Sequence, residues 1–213
     1  MSAARPDRLV VVTGTGTDVG KTWWSASIAR ALRARGITVA ARKPVQSYSP
    51  ADPVAALDAS VLGGATGERP EVVCPTHRWL AEPLAPPMAA AALGLPPFTI
   101  ADLVGELTWP PGTDVGLIEG AGGLRSPLAG DGDTHTLIEA VDPDDVLVVS
   151  DPALGVIHGV RLVVGALGPR RVTVVLNRFD ADDPQQLASR EWLVAHDGFT
   201  VVTAPEGLAA NWA

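Results

Sequence analysis

The segment Gly14-Thr-Gly-Thr-Asp-Val-Gly-Lys-Thr22 joins a run of β-branched residues, Leu9–Thr13, to an Ala-rich stretch of helical spacing, Trp23–Arg35. A short continuous apolar run is the pattern of a strand buried on both faces. Arg30, Arg33 and Arg35 crowd the end of the helical stretch and Gly36 stops it. A buried strand that passes through a glycine-rich turn into a helix places backbone N–H groups and a helix N-terminus around one point, which suits phosphate. Lys21 then supplies an ammonium to the terminal phosphates and Thr22 a hydroxyl to Mg²⁺. The spacing departs from the usual phosphate loop: the first glycine should stand five before Gly20, where the chain has Thr15, and stands instead at Gly14.

Further strands are expected at Ile37–Ala41, Asp114–Glu119, Val146–Ser150, Val172–Leu176 and Thr200–Val202, and helices at Asp52–Gly63, Met88–Leu93, Thr99–Leu107, Thr134–Ala140, Val156–Leu167 and Pro184–Ala195. Pro75 to Pro97 is proline-rich and reads as a long irregular excursion. Alternation of strand and helix predicts an α/β fold, a mostly parallel sheet of the phosphate-loop type with helices on both faces and ligands at the carboxyl ends of the strands. No repeat or linker divides residues 1–213, so a single ATP-binding domain is expected.

Composition narrows the function. A net charge of −8 argues against a nucleic-acid surface. No apolar run reaches the roughly 18–20 residues of a membrane span, and Met1–Arg8 lacks a signal-peptide hydrophobic region. Cys74 is the one cysteine, which excludes an internal disulfide and a cysteine zinc cluster. These features predict a cytoplasmic protein. Of 16 basic residues only two are lysines, Lys21 and Lys43. In a chain that otherwise uses arginine, both read as compact point charges placed for phosphate or carbamate.

Lys43 closes the second strand and therefore opens onto the same edge as Lys21, with Gln46 and Ser47 within reach. Glu119 ends a hydrophobic strand where an acidic Mg²⁺ partner is needed, and Gly120–Gly123 can approach phosphate closely. Asp52 and Asp58 compete as a further metal ligand. His77, His135 and His196 have no ligand spacing, and Trp23 and Trp24 read as packing residues.

The phosphate loop with its six-residue step from Gly14 to Gly20, Lys43-Pro-Val-Gln-Ser47 and Glu119-Gly-Ala-Gly-Gly123 together resemble the dethiobiotin synthetases, as do Glu82-Pro-Leu-Ala-Pro-Pro-Met-Ala89 and Leu154-Gly-Val-Ile157. The likeness covers roughly residues 9–180. It implies ATP- and Mg²⁺-dependent ring closure, in which 7,8-diaminononanoate takes up CO₂ as a carbamate, a carbamic–phosphoric anhydride forms, and dethiobiotin results. It implies catalytic roles for Lys21, Lys43, Thr17 and Ser47, and a nucleotide site of Gly16, Thr17, Asp18, Val19, Gly20, Lys21, Thr22, Glu119, Gly122 and Asn177, with Pro205 near the adenine. Thr22, Asp58 and Glu119 would hold Mg²⁺, Asp58 being preferred to Asp52 on this likeness. A homodimer is implied, with Gly155, Val156, Ile157 and His158 reaching the neighbour's substrate carboxylate beside Thr17, Lys43 and Ser47.

Two departures bear on the substrate. His158 replaces a frequent asparagine, and Tyr48, which either crowds the diamine or lies at the surface, replaces a small residue. A same-fold ligase for another amine or acid is therefore an alternative. A partition-type ATPase switch is another, but Gly16 stands where that class carries a lysine, and the end of the chain, Leu208–Ala213, reads as no amphipathic helix.

Overall fold

The computed structural model describes residues 5–212; the leading residues 1–4, part of the segment read above as lacking a leader, lie outside them. In chain order the elements are β1 (Arg8–Gly14), α1 (Lys21–Arg33), β2 (Val39–Arg42), β3 (Gln46–Ser47), α2 (Asp58–Thr66), α3 (Pro70–Val73), β4 (Trp79–Leu80), α4 (Pro86–Ala92), α5 (Ile100–Gly105), β5 (Val115–Glu119), β6 (Pro127–Ala129), β7 (Gly132–Asp133), α6 (Thr134–Val141), β8 (Asp145–Ser150), α7 (Val156–Leu167), β9 (Val172–Leu176), α8 (Pro184–Ala195), β10 (Thr200–Val202) and α9 (Pro205–Asn211). Six strands form one sheet in the order β10-β9-β8-β1-β5-β2, and every pairing in it is parallel.

Because successive side chains on a strand face opposite ways, β1 divides its run between two cores. Val10 and Val12 pack with Trp24, Ile28, Leu32 and Leu62 on one face. Leu9 and Val11 pack with Leu103, Leu137 and Ile138 on the other. The expected helices on both faces are therefore present. The strand order reverses between β1 and its two neighbours, β8 and β5, and both of their connecting loops begin at the same sheet edge. Such a switch point leaves a crevice beyond the carboxyl ends of the strands.

Several boundaries differ from the sequence reading, each for a local reason. The helix expected over Asp52–Gly63 is broken: a 3₁₀ turn covers Val54–Ala56, Leu57 is extended (ψ 146°), and α2 starts at Asp58. Pro53 cannot sit inside a helix, so the chain turns before committing. α4 starts at Pro86, two residues earlier than expected, with both prolines in its first turn where no N–H is required. The Thr99 cap holds as expected, forming a capping box with Asp102. The end of the chain is helical after all. Pro205 opens α9, and Leu208 and Trp212 bury against the α1 side of the core. No helix among the described residues is long and apolar enough to cross a membrane.

Candidate active site

α1 begins at Lys21 itself, two residues earlier than the spacing suggested, so Lys21 and Thr22 stand at the helix N-terminus. The turn leading there is left-handed at Asp18 (φ 57°) and at Gly20 (φ 98°). At Gly20 an added Cβ would collide with the Asn177 amide, so the position needs glycine for both space and torsion. The Lys21 ammonium rests on Gly16 O at 2.9 Å, closing the loop on itself.

Lys43 follows β2 and is buried, 2% exposed. Its Nζ lies 2.7 Å from Asp58 Oδ2, 2.9 Å from Glu119 Oε1 and 3.0 Å from Gly120 O. Glu119, 1% exposed, ends β5. The Thr22 hydroxyl lies 2.7 Å from Glu119 Oε1 and 2.8 Å from Asp58 Oδ1 and can donate to one of them at a time. Ser25 Oγ lies 2.8 Å from Glu119 Oε2 and 2.9 Å from Lys21 O and can donate to one of them at a time. A carboxylate in a nonpolar interior is stable only with such partners. Two carboxylates, two hydroxyls and two ammonium groups thus gather at the switch point, although they come from α1, α2, β5 and the end of β2.

Asp58, the first residue of α2, is in this cluster. Asp52 is not: its Oδ2 accepts the Ser49 N–H at 2.9 Å in a local turn. Both still line a crevice of about 1020 Å³, together with Thr17, Asp18, Gly20, Lys21, Thr22, Lys43, Gln46, Ser47, Tyr48, Glu119 and Gly122. Ser47 Oγ and Gln46 Nε2 are buried with no hydrogen-bond partner. An unpaired buried polar atom costs about 1–3 kcal/mol, and both residues line this wall. The side-chain amide of Gln46 accepts the Ala59 N–H at 3.0 Å through Oε1, which ties β3 to the first turn of α2 and so to Asp58.

Other expected site residues lie elsewhere. Gly155, Val156, Ile157 and His158 do not line this crevice. They open α7, whose start lies beside Thr15, and His158 is exposed. Pro205 is buried at the start of α9 and does not line it either. Asn177, also absent from the lining, is enclosed between Trp24 and Val19. Tyr48 is half-buried on the crevice wall.

The charges act on one another. Burial and the nearby Lys43 ammonium push Lys21 down to about 8, although Glu119, Asp58 and Asp18 pull the other way. Lys43 is itself deeply buried, yet Asp58 and Glu119 more than offset this and hold it well above the usual lysine range. Asp58 is held below the usual carboxylate range: burial opposes its charge, but the Lys43 ammonium and the Thr22 hydroxyl outweigh it. One pH dependence follows. Well below pH 8 Lys21 is an ammonium and attracts phosphate fully. Above it the free protein loses that charge, while bound phosphate would retain it. ADP affinity is therefore expected to fall about tenfold between pH 7.5 and 9, and titration calorimetry across that range checks it. Lys21→Ala should abolish this slope and weaken ADP binding at every pH.

The AAA domain family model matches residues 8–204. The ATP-dependent dethiobiotin synthetase BioD of Rhodococcus jostii is 40% identical over 75% of this chain and 67% of its own. That of Methylobacterium nodulans is 37% identical over 92% of each chain. The chain belongs to the dethiobiotin synthetase family. As a family member it is an enzyme of the ATP-dependent ligase class. Among solved structures, chloroplast FtsY from Physcomitrella patens aligns with a TM-score of 0.53 at 16% identity, covering 95% of this chain and 61% of FtsY. A chain of the MinC:MinD cell division protein complex of Aquifex aeolicus aligns at 0.52 and 19%, over 91% of this chain and 79% of its own. These two share its fold. For this dethiobiotin synthetase homologue the sequence reading missed Ser25 as a partner of Glu119. The signal was present: Ser25 lies three residues after Thr22, on the same face of α1.

Proposed function

We propose that the protein catalyses the ATP-dependent closure of a ureido ring on a vicinal diamine, 7,8-diaminononanoate, with CO₂, giving dethiobiotin, ADP and phosphate in biotin biosynthesis. The observation that carries this reading is Lys43, buried between Glu119 and Asp58 on the same crevice as Lys21. A nucleotide-hydrolysing switch has no need of a second buried ammonium there. A reaction that brings one anion against another does.

One amine first adds to CO₂ and loses a proton, becoming a carbamate. A carbamate oxygen then attacks the γ-phosphorus of ATP; the bond to the β,γ-bridging oxygen breaks and ADP leaves. The second amine attacks the carbamoyl carbon, the C–O bond to the phosphoryl group breaks, and the ring closes as phosphate departs with the amine proton neutralised by solvent. The first transfer is opposed by repulsion between carbamate and triphosphate. Lys21 and Lys43 neutralise it from two sides. Thr17 and the unpaired Ser47 hydroxyl would orient the carbamate or amines, and this fixing of reactants in line supplies much of the remaining acceleration.

Thr22, Asp58 and Glu119 are hard oxygen donors drawn within hydrogen-bonding distance of one another's partners, which suits Mg²⁺. When bound there, Mg²⁺ neutralises phosphate charge. Gly16, Asp18, Val19, Gly20 and Gly122 would surround the phosphates.

We further assign a homodimer in which Gly155, Val156, Ile157 and His158 close the neighbour's substrate site. Leu154, 89% exposed, and Leu162, one turn beyond His158 on α7, support an apolar contact there. Tyr48 on the crevice wall supports a second reading, in which the same chemistry acts on a different amine.

Phosphate release tests the main reading. ADP and phosphate should appear only when the diamine and bicarbonate are both present, one of each per ring closed. Equal ATP turnover without either co-substrate would overturn it, and turnover with a shorter diamine alone would favour the second.

A further inference from the structure

Helix α2 carries Asp58 into the site, yet no side chain of its own segment caps its first turn. Its N-cap is Leu57, extended (φ −66°, ψ 146°) and without a side-chain acceptor. The Leu57 carbonyl takes the N–H groups of Ser60 and Val61 at 2.9 and 3.0 Å. The Ala59 N–H goes instead to Gln46 Oε1 at 3.0 Å, 13 residues upstream. Gln46 is 2% exposed. Its strand is held independently: Gln46 and Ser47 pair with Trp79 and Leu80, and the Tyr48 N–H donates to Leu80 O at 3.0 Å.

We propose that Gln46 is a positioning residue for Asp58: it caps α2 from outside the helix and so sets where the Asp58 carboxylate stands. The inference rests on the metal-site reading above and adds to it. An orphan N–H at a helix start is usually satisfied by the side-chain oxygen of the N-cap residue. Here the oxygen comes from β3, so the start of α2 is registered on the strand that also carries Ser47. Asp58 needs that register. Its Oδ2 lies 2.7 Å from Lys43 Nζ and its Oδ1 2.8 Å from the Thr22 hydroxyl. A helix start displaced by one residue would turn the carboxylate by about 100° and break both contacts.

The state of the amide shows which of its atoms matters. A backbone N–H only donates, so Ala59 takes Oε1 and leaves Nε2 on the other side. Nε2 is buried without a hydrogen-bond partner, and an unpaired buried donor destabilises the fold. Methionine, of similar length, would avoid that cost but would give up the acceptor. Glutamate would keep an oxygen in place but add a carboxylate to a wall already lined by Asp58 and Glu119. A neutral amide caps α2 without adding charge beside the two metal-site carboxylates.

Mn²⁺ binding to the ADP complex, followed by electron paramagnetic resonance titration, tests the proposal. Gln46→Met keeps the volume and removes the acceptor. It is expected to weaken Mn²⁺ about tenfold, the scale of a lost N-cap, while ADP titrated calorimetrically without metal binds within about twofold of the wild type. In the assay the Mg²⁺ concentration for half-maximal turnover should rise by a similar factor with KM for the diamine unchanged. A packing role alone would lower Tm and leave the metal affinity where it was. Gln46→Glu retains the acceptor and should bind Mn²⁺ at least as tightly as the wild type. A local cap should replace the remote one. In the Gln46→Met background, Leu57→Ser places a hydroxyl at the N-cap and should recover most of the lost affinity, whereas Leu57→Ala removes similar bulk without an oxygen and should recover none.

Unchanged Mn²⁺ affinity in Gln46→Met would overturn the proposal. So would Gln46→Glu binding as weakly as Gln46→Met, which would make Nε2 the working atom, or equal affinities in the two double variants. A wild-type ADP complex that bound no Mn²⁺ would overturn the metal-site reading itself, and this inference with it.

Discussion

Replacing Lys43 by methionine is expected to lower turnover about a thousandfold while leaving ADP affinity within a few-fold of the wild type. The magnitude is that of removing a preorganised charge from the transition state of acyl or phosphoryl transfer. Lys43 makes its contacts with Asp58, Glu119 and Gly120 O, whereas Lys21 sits on the phosphate loop, so binding and chemistry should separate between the two lysines. A second readout is independent of catalysis. Without the ammonium, Asp58 and Glu119 face one site with no cation between them. The nucleotide-free variant should bind Mn²⁺ at least about tenfold more tightly than the wild type, as electron paramagnetic resonance titration measures. If ADP affinity collapses while turnover survives, Lys43 serves the nucleotide and not the carbamate.

Glu119→Ala should be the most destabilising single change in the crevice. It removes a buried carboxylate that holds the Lys43 ammonium and lies within hydrogen-bonding distance of the Ser25 and Thr22 hydroxyls, so that Lys43 keeps only Asp58 and Gly120 O, and the two hydroxyls only Lys21 O and Asp58. Breaking a buried pair from one side costs about 3–5 kcal/mol. In a chain of this size that is a fall in Tm of roughly 6–20 °C, which thermal unfolding would register. Combining Lys43→Met with Glu119→Leu removes both charges of that pair, leaves the partly exposed Asp58 without its cation, and should recover part of the loss without recovering activity. A double variant no more stable than Glu119→Ala would mean that the Lys43–Glu119 pair is not what holds this region together.

Much of the fold was legible because it rests on local rules. Leu9–Thr13 is continuous and β-branched, so β1 could be read as a central strand, and the helix that follows the glycine-rich turn is Ala-rich and ends in arginines and Gly36. Pairings that depend on remote partners were not legible. β3 lies against β4 and β6 against β7, in segments of two or three residues whose periodicity is too short to read. α9 was missed for a similar reason: its stability comes from burying Leu208 and Trp212 against α1, not from propensity.

The site divides along the same line. Lys21, Thr22, Lys43 and Glu119 were legible from residue type at strand and helix ends, because a parallel sheet sends all those ends to one edge. Residue type alone left Asp58 and Asp52 in competition and the family likeness favoured Asp58; the fold supplies the reason that Asp58 meets Lys43, since Pro53 and the extended Leu57 set where α2 starts. The surroundings of Asn177 needed it as well, because its partners Trp24 and Val19 lie more than 150 residues away in the chain. The amino-acid sequence by itself determined which groups carry charge and at which edge they emerge, since strand period and helix caps act over a few residues. Tertiary structure alone decided what each group touches, since hydrogen bonds and ion pairs act over about 3 Å and only packing brings distant segments that close.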